Sequence, residues 1–249
     1  MLVADSVVLI TGAGGGIGRA LALGFARDGA ALALCDRDAS ALTETANLCA
    51  ARELHTRTVD VSDDLAAGRF VQETLSRFGR IDVLLNNAGV VDRGPLLSTP
   101  FSDWARVIAV NLVGVASFTY HVLPSMLANG HGRIINLASR EAEYPRPDRS
   151  AYVASKAGVI SFTRAVALSI DRDRYPDVLV NALVPGPTRT GMNQRDGLQE
   201  PEAVYPHARY VAELPSGGPT GRTFWNSRDY PMYTHFNEER PAGGGRREG

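Results

Sequence analysis

Short apolar runs recur along the chain, separated by stretches of helix length. VVLIT (7–11), AALALCD (30–36), TVDV (58–61), IDVLLN (81–86), RIINLAS (133–139) and VLVNALV (178–184) read as strands. In several of them apolar residues occupy successive rather than alternate positions. A strand covered on both faces, as in a parallel sheet with helices above and below, carries that pattern. Helical spacing fills the intervals at 17–27, 39–52, 63–78, 101–129 and 152–170. The third of these opens on acidic residues, which suit the positive end of a helix. Strict β-α alternation predicts an α/β fold: a doubly wound, mostly parallel sheet flanked by helices in one domain.

The pattern weakens after Val184. PGPTRTGMNQRDGLQEPEAVYPHARYV is rich in proline, glycine and polar residues, so loop with short helices is expected, with a substrate loop at about 187–212. The catalytic domain is expected to span 1–236, and NEERPAGGGRREG, at 237–249, to be a disordered tail. No repeat or linker divides the chain.

Composition narrows the function classes. The chain has 249 residues, 44% hydrophobic and 21% charged, with a net charge of −1. It offers no electrostatic footprint for nucleic acid or an anionic membrane. Cys35 and Cys49 have no metal-like spacing, and Cys35 reads as a core thiol in an apolar run. The five histidines form no ligand pattern, so no metal is expected. The first residues carry no secretory pattern, and no uninterrupted apolar run approaches the ~20 residues that span a bilayer. A cytoplasmic protein is the expectation.

TGAGGGIG (11–18) lies between the first strand and the first helix. Glycines there permit a tight turn and let backbone approach a pyrophosphate at the helix N-terminus. Asp36 ends the second strand, where an acid meets an adenosine ribose; as a helix cap it would compete with Asp38. A carboxylate there accepts from both ribose hydroxyls and repels a 2′-phosphate. Arg37 pulls the other way, since a guanidinium clamps phosphate, but position 15 is glycine rather than a basic residue. NAD is favoured over NADP.

Lys156 is the only lysine in the chain; the other 25 basic residues are arginines. It follows Tyr152 at i+4, so on a helix the two share a face. A phenol with a pKa near about 10 is a poor proton shuttle at neutral pH, and an adjacent ammonium favours the phenolate. A compact ammonium bonds two ribose hydroxyls in a geometry a planar guanidinium cannot take. A chain that otherwise uses arginine would keep lysine at such a place.

These motifs together resemble the compact short-chain dehydrogenase/reductases over about residues 6–225. The resemblance rests on TGAGGGIG (11–18), Asp36, Asp60-Val61, NNAG (86–89), Asn111 in VIAVNLVG, Ser139 in RIINLAS, YVASK (152–156) and PGPTRT (185–190). It implies a Rossmann fold and a secondary alcohol or ketone as the small-molecule substrate. Tyr152 would be the general acid/base and Ser139 would orient the substrate oxygen. Lys156 would hold the nicotinamide ribose, and Asn111 would fix a water linking Lys156 to solvent. Gly12, Gly16, Ile17 and Gly18 would form the phosphate turn, with Asp36 and Arg37 at the adenine ribose and Asp60 and Val61 at the adenine. Asn87, Ala88 and Gly89 would flank the adenosine ribose, although Asn and Gly also suit any strand-ending turn. Pro185, Gly186 and Thr188 would lie by the nicotinamide. A homodimer or homotetramer through helices 101–129 and 152–170 is implied as well.

Two segments depart from the family's pattern. Phe224, Trp225, Tyr230, Tyr233 and Phe236 make the C-terminal region unusually aromatic, which suits a packed arm, a pocket wall or a subunit contact. SREAEYPRPDRSAY sets Arg140, Glu141, Glu143, Arg146 and Arg149 near the reaction site, as solvated loop charges or as a clamp for an acidic substrate. A silent dinucleotide-sensing regulator and a lyase or isomerase using the same Tyr/Lys pair are the competing readings. The full Asn111, Ser139, Tyr152, Lys156 set argues against the regulator.

Overall fold

The computed structural model describes residues 3–193 and 197–233. Phe236 and the expected tail at 237–249 lie outside them. Among the described residues seven parallel strands carry the fold: β1 (Val7–Thr11), β2 (Ala31–Asp36), β3 (Leu54–Thr58), β4 (Val83–Asn86), β5 (Gly132–Leu137), β6 (Val178–Val184) and β7 (Thr223–Trp225). The two-residue β8 (Arg228–Asp229) closes one edge antiparallel to β7. The order is β3-β2-β1-β4-β5-β6-β7-β8, a doubly wound Rossmann sheet. Asn226 and Ser227, with φ of 49° and 57°, link β7 to β8 in the left-handed conformations a tight hairpin turn requires.

Five strand readings fall on β1, β2, β4, β5 and β6, where nearly every residue is buried. The third does not. TVDV was expected at 58–61, but β3 is LHTRT at 54–58, half-exposed and paired only with β2. An edge strand with one face in water needs polar residues, so it lacks the apolar signal. Val59 and Val61, which supplied that signal, are buried just beyond the strand's end.

The helices are α1 (Gly16–Arg27), α2 (Ala39–Leu48), α3 (Asp64–Phe78), α4 (Phe101–Ile108), α5 (Gly114–Asn129), α6 (Ser150–Ser169) and α7 (Tyr205–Ala212). A π-helical turn, Ala109–Val113, joins α4 to α5 in one helical run. α1 and α7 pack their apolar residues on one face of the sheet through Leu21, Phe25, Ala208 and Val211. α3, α5 and the end of α6 cover the other through Phe70, Phe118, Met126 and Ala167. The run Phe101–Asn129 is long and apolar enough to cross a membrane by length and composition, and half of its apolar window is buried inside this domain.

The expected substrate loop at 187–212 divides in two. Pro187, Thr188, Thr190 and Met192 line a cavity. Residues from Pro201 onward form a 3-10 turn and then α7, with Val204, Tyr205, Ala208, Val211 and Ala212 buried in the core. Pro206 in the first turn of α7 costs the helix nothing, because that N–H has no intrahelical partner.

The sheet order reverses between β1 and β4. Open α/β sheets bind ligands in the crevice beyond the carboxyl ends of the strands at such a switch point. The glycine loop follows β1, and Asn87, Ala88 and Gly89 follow β4.

Candidate active site

The glycine loop is held by its neighbours. Gly12 has φ of +67°, and a Cβ there would lie 2.7 Å from Ala88 Cα; one on Gly18 would lie 2.0 Å from the Gly12 carbonyl oxygen. Asn87 Nδ2 donates to the carbonyls of Thr11 and Gly12 at 2.9 and 3.0 Å, while Thr11 Oγ1 accepts from the N–H groups of Asn87 and Ala88. The two turns at the switch point therefore form one unit. Arg19 adds a brace from α1, donating to the Gly14 carbonyl at 2.7 Å and to Thr45 and Glu44 on α2.

Asp36 and Asp38 take different tasks. Asp38 caps α2 by accepting from the N–H groups of Ser40 and Ala41. Asp36 accepts from the Gly14 N–H at 2.8 Å and from the Asp38 N–H at 2.9 Å, which fixes its carboxylate on the loop. Gly15 caps α1 without a side-chain bond, leaving first-turn N–H groups for another acceptor.

A cavity of about 530 Å³ runs along these elements. Of the residues expected at the cofactor, it is lined by Gly12, Gly16, Ile17, Gly18, Asp36, Arg37, Asp60, Val61, Asn87, Ala88, Gly89, Tyr152, Lys156 and Pro185. Gly186 and Thr188 do not line it. They lie with Ser139 in an adjoining cavity of about 450 Å³. Ile17, Ala138, Tyr152, Pro185, Thr190 and Met192 border both spaces, so Tyr152 stands at their junction. Asp60 accepts from the Ser62 hydroxyl and N–H at 2.6 and 2.9 Å, bonds that hold its carboxyl below the ordinary range.

Tyr152 is half-buried on α6. Burial pushes its phenol up to about 12; a hydrogen bond with Ser139 works against the rise, Glu141 adds to it, and Arg149 opposes it. Ser139 Oγ also accepts from the Glu141 N–H at 3.1 Å. Lys156 is 5% exposed, and burial brings its ammonium down to about 8. Its Nζ lies 5.8 Å from the Tyr152 ring centroid and donates to the Leu137 carbonyl at 2.6 Å. The expected lowering of the tyrosine pKa by this lysine is thus absent from this geometry: desolvation of the phenol dominates, and the ammonium is turned to a carbonyl.

Asn111 lies in the π-helical turn, fully buried. Its Oδ1 accepts from the Val90 N–H at 2.7 Å, and its Nδ2 donates to the Val90 carbonyl at 2.8 Å and to Ser155 Oγ at 3.0 Å. Both amide hydrogens are therefore used by protein. The side chain ties the loop after β4 to α6, one turn below Tyr152, where Ser155 Oγ donates to the Tyr152 carbonyl at 2.7 Å.

Asp92 is a site residue that the sequence reading missed. It is 4% exposed, and its two oxygens accept from the Ala151 and Tyr152 N–H groups at 3.1 and 3.0 Å. Arg149, the N-cap of α6, makes no side-chain cap bond, so a residue 60 positions away does that work. Nothing in the local sequence signals it. Asp92→Ala should cost about 1–2 kcal/mol, the range for a lost helix cap, and Asp92→Asn about half, since an amide keeps one acceptor. Denaturant unfolding measures both.

A glycine-lined groove at the switch point, meeting a second cavity at Tyr152, is the arrangement in which open α/β sheets of the Rossmann class bind ligands. Comparison with known proteins narrows this further. Residues 6–201 match the family described as short chain dehydrogenase, and the chain belongs to that family. It is 34% identical over 242 residues to the (2S)-[(R)-hydroxy(phenyl)methyl]succinyl-CoA dehydrogenase subunit BbsD of Thauera aromatica, covering 90% of this chain and 96% of that one. It is 36% identical over 222 residues to the levodione reductase of Leifsonia aquatica, covering 83% and 82%. Among solved structures, a levodione reductase superposes with a TM-score of 0.82 at 29% identity, covering 90% and 96%. An NAD+-bound xylitol dehydrogenase gives 0.80 at 27%, covering 89% and 97%. Membership supports an NAD(P)-dependent oxidoreductase acting on alcohols or ketones.

Proposed function

We propose that this protein interconverts a secondary alcohol and a ketone with NAD as hydride carrier, and that Tyr152 moves the proton. The observation that carries the reading is Tyr152, hydrogen-bonded with Ser139, at the border of the two cavities. The residues present suit a dinucleotide. First-turn N–H groups of α1 open on the groove, the glycines leave room for a pyrophosphate, and Asp36 stands at the ribose end. NAD supplies the hydride acceptor in one direction and, reduced, the donor in the other.

The chain's own residues do the remaining work. In reduction, Tyr152 donates its phenolic proton to the carbonyl oxygen as negative charge develops there, and Ser139 donates a hydrogen bond to the same oxygen. A phenol with its pKa pushed up to about 12 is fully protonated at neutral pH and ready for this direction. In oxidation the phenolate must form first. Lys156 would hold the nicotinamide ribose and favour that phenolate once its ammonium leaves the Leu137 carbonyl. Asn111 would hold the loop and α6 in register and, through its remaining acceptor capacity, the expected water. Gly186 and Thr188 would close the nicotinamide end from the substrate side. We further propose that residues 1–236 act as one catalytic domain and that homodimers or homotetramers form through the helical run Phe101–Asn129 and α6.

Asp36 supports NAD over NADP, since its carboxylate faces the groove and a 2′-phosphate would meet it. Asp36→Ala should bring NADPH binding within about tenfold of NADH, from a wild-type preference of about 100-fold or more. Titration of both reduced nucleotides by protein fluorescence reads the ratio. Equal affinity in wild type would rule out the assignment. The activity itself is tested by following NADH absorbance with a panel of secondary alcohols and ketones; binding without turnover across the panel would favour the regulator.

A further inference from the structure

The cavity on the substrate side of Tyr152 is unevenly charged. Among the described residues four arginines line it, Arg93, Arg140, Arg146 and Arg149, against the carboxylates of Glu141 and Asp148. Two of the four are already engaged. Arg149 pairs with Glu141 at 2.9 Å, the two side chains being 13% and 22% exposed, so the charges next to Tyr152 neutralise each other. Arg93 donates to the Met192 carbonyl at 2.7 Å.

Arg140 and Arg146 are placed differently. Both line this cavity and also an outer recess shared with Glu141 and Tyr144. Arg146 meets Asp148 only at 3.6 Å and is 56% exposed, a weak pairing. Among the described residues no ion pair within 4.0 Å engages Arg140. Its guanidinium instead lies 4.5 Å from the Trp225 ring centroid and 5.2 Å from that of Tyr144. Stacking occupies the faces of the guanidinium, and the in-plane N–H groups beyond the one that meets the Tyr230 hydroxyl are left for an acceptor.

The aromatic C-terminal segment supports this arrangement. The Tyr230 ring packs edge-on to Trp225 at 5.3 Å, and its hydroxyl, itself hydrogen-bonded with Arg140, donates to Glu143 at 2.9 Å. The Tyr233 N–H donates to Glu143 at 2.9 Å as well. Among the described residues, positive charge is in excess around the cavity even with Glu143 counted. Arg140 is exposed, and an arginine stacked between two rings in this way loses less conformational entropy on binding than one free in solvent. Arg140, Glu141, Arg146, Asp148 and Arg149 thus line a pocket, with Arg140 and Arg146 at its exposed rim.

We propose that the pocket takes a ketone or secondary alcohol bearing a carboxylate remote from the reacting carbon, held by Arg140 with Arg146 assisting from the rim. The reacting end rests on the oxidoreductase reading; the anion site does not. The self-neutralised Glu141–Arg149 pair beside Tyr152 gives a carboxylate no attraction at the reacting carbon, so the anion belongs outward, at the stacked guanidinium.

The test compares 4-oxopentanoate and 6-oxoheptanoate with their methyl esters, by calorimetry on the NAD-loaded protein, where the ketone has no hydride donor, and by turnover with NADH. Wild type should bind the better acid at least about tenfold tighter than its ester, an advantage that shrinks in high salt. Arg140→Gln should bring acid and ester within about twofold, and Arg146→Gln should narrow the gap less, with NADH affinity unchanged in both. Trp225→Ala, which removes the stacking face and keeps the charge, should weaken acid binding without equalising the pair. Equal affinity for acid and ester in wild type, no binding of either acid, or a preference that survives the Arg140→Gln/Arg146→Gln double variant would overturn the assignment. Preferential binding of the acids without turnover of any ketone would leave the anion site standing and count against the oxidoreductase reading.

Discussion

Tyr152→Phe should lower kcat by about 10³-fold or more in both directions while leaving NADH affinity within about threefold, the scale expected for loss of a general acid/base. In the proposed mechanism the phenol, which borders both cavities, is the acid, and phenylalanine keeps its packing without the proton. The effect of pH should differ by direction. Burial raises the phenol to about 12, so the protonated form needed for reduction persists through neutral and mildly alkaline pH. Alcohol oxidation needs the conjugate base and should climb by up to about tenfold per unit as pH rises towards that value. Initial rates in both directions check this. A flat oxidation profile from mild acid to alkaline pH would show another group taking the proton.

Lys156→Arg should lower kcat/KM by about 10²–10³-fold and weaken NADH binding as well. Lysine here is 5% exposed, with Nζ at 2.6 Å from the Leu137 carbonyl and 3.8 Å from where a Gly89 Cβ would lie. A guanidinium is too large for that space without displacing the turn after β4 or the strand end at Leu137. It also cannot shed its proton as the ammonium does when burial brings it down to about 8. The same burial has a consequence for stability. The folded-state pKa lies below the unfolded one, so the unfolded chain binds the proton more tightly across the window from about 8 up to 10.5. Stability therefore rises through that window as the buried charge is relieved, by at most about 3 kcal/mol. Lys156→Met, which never carries the charge, should lack this component in unfolding measured against pH. If Lys156→Arg turns over as well as wild type, the lone lysine is an accident of composition.

How much of this was legible in the sequence follows from where each signal resides. Central strands announce themselves by continuous apolar runs, and five of six readings fall on β1, β2, β4, β5 and β6. The edge strand LHTRT lacked that signal because one side of it faces water. α7 was hidden in a proline-containing, weakly patterned segment, and its buried residues became readable only once the sheet surface beneath them was known. The residues that line the cavities at the switch point were readable because short motifs carry them. The supports were not. Asp92 at the head of α6, Arg19 on the Gly14 carbonyl and Glu143 beneath Tyr230 and Tyr233 act across long sequence separations, and no local periodicity marks such pairings. The sense of the Tyr152 shift was also out of reach, since it depends on how deeply the phenol is buried rather than on which residue stands four places along.

The most direct test is isotopic. NADH carrying deuterium at both C4 positions would be supplied with a ketone substrate to wild type and to Tyr152→Phe, and the alcohol product analysed by mass spectrometry and NMR. Direct hydride transfer predicts one deuterium on the carbinol carbon with wild type, and the same label formed about 10³-fold more slowly by the variant. Alcohol formed without deuterium at that carbon, or formed equally fast by Tyr152→Phe, would contradict the account.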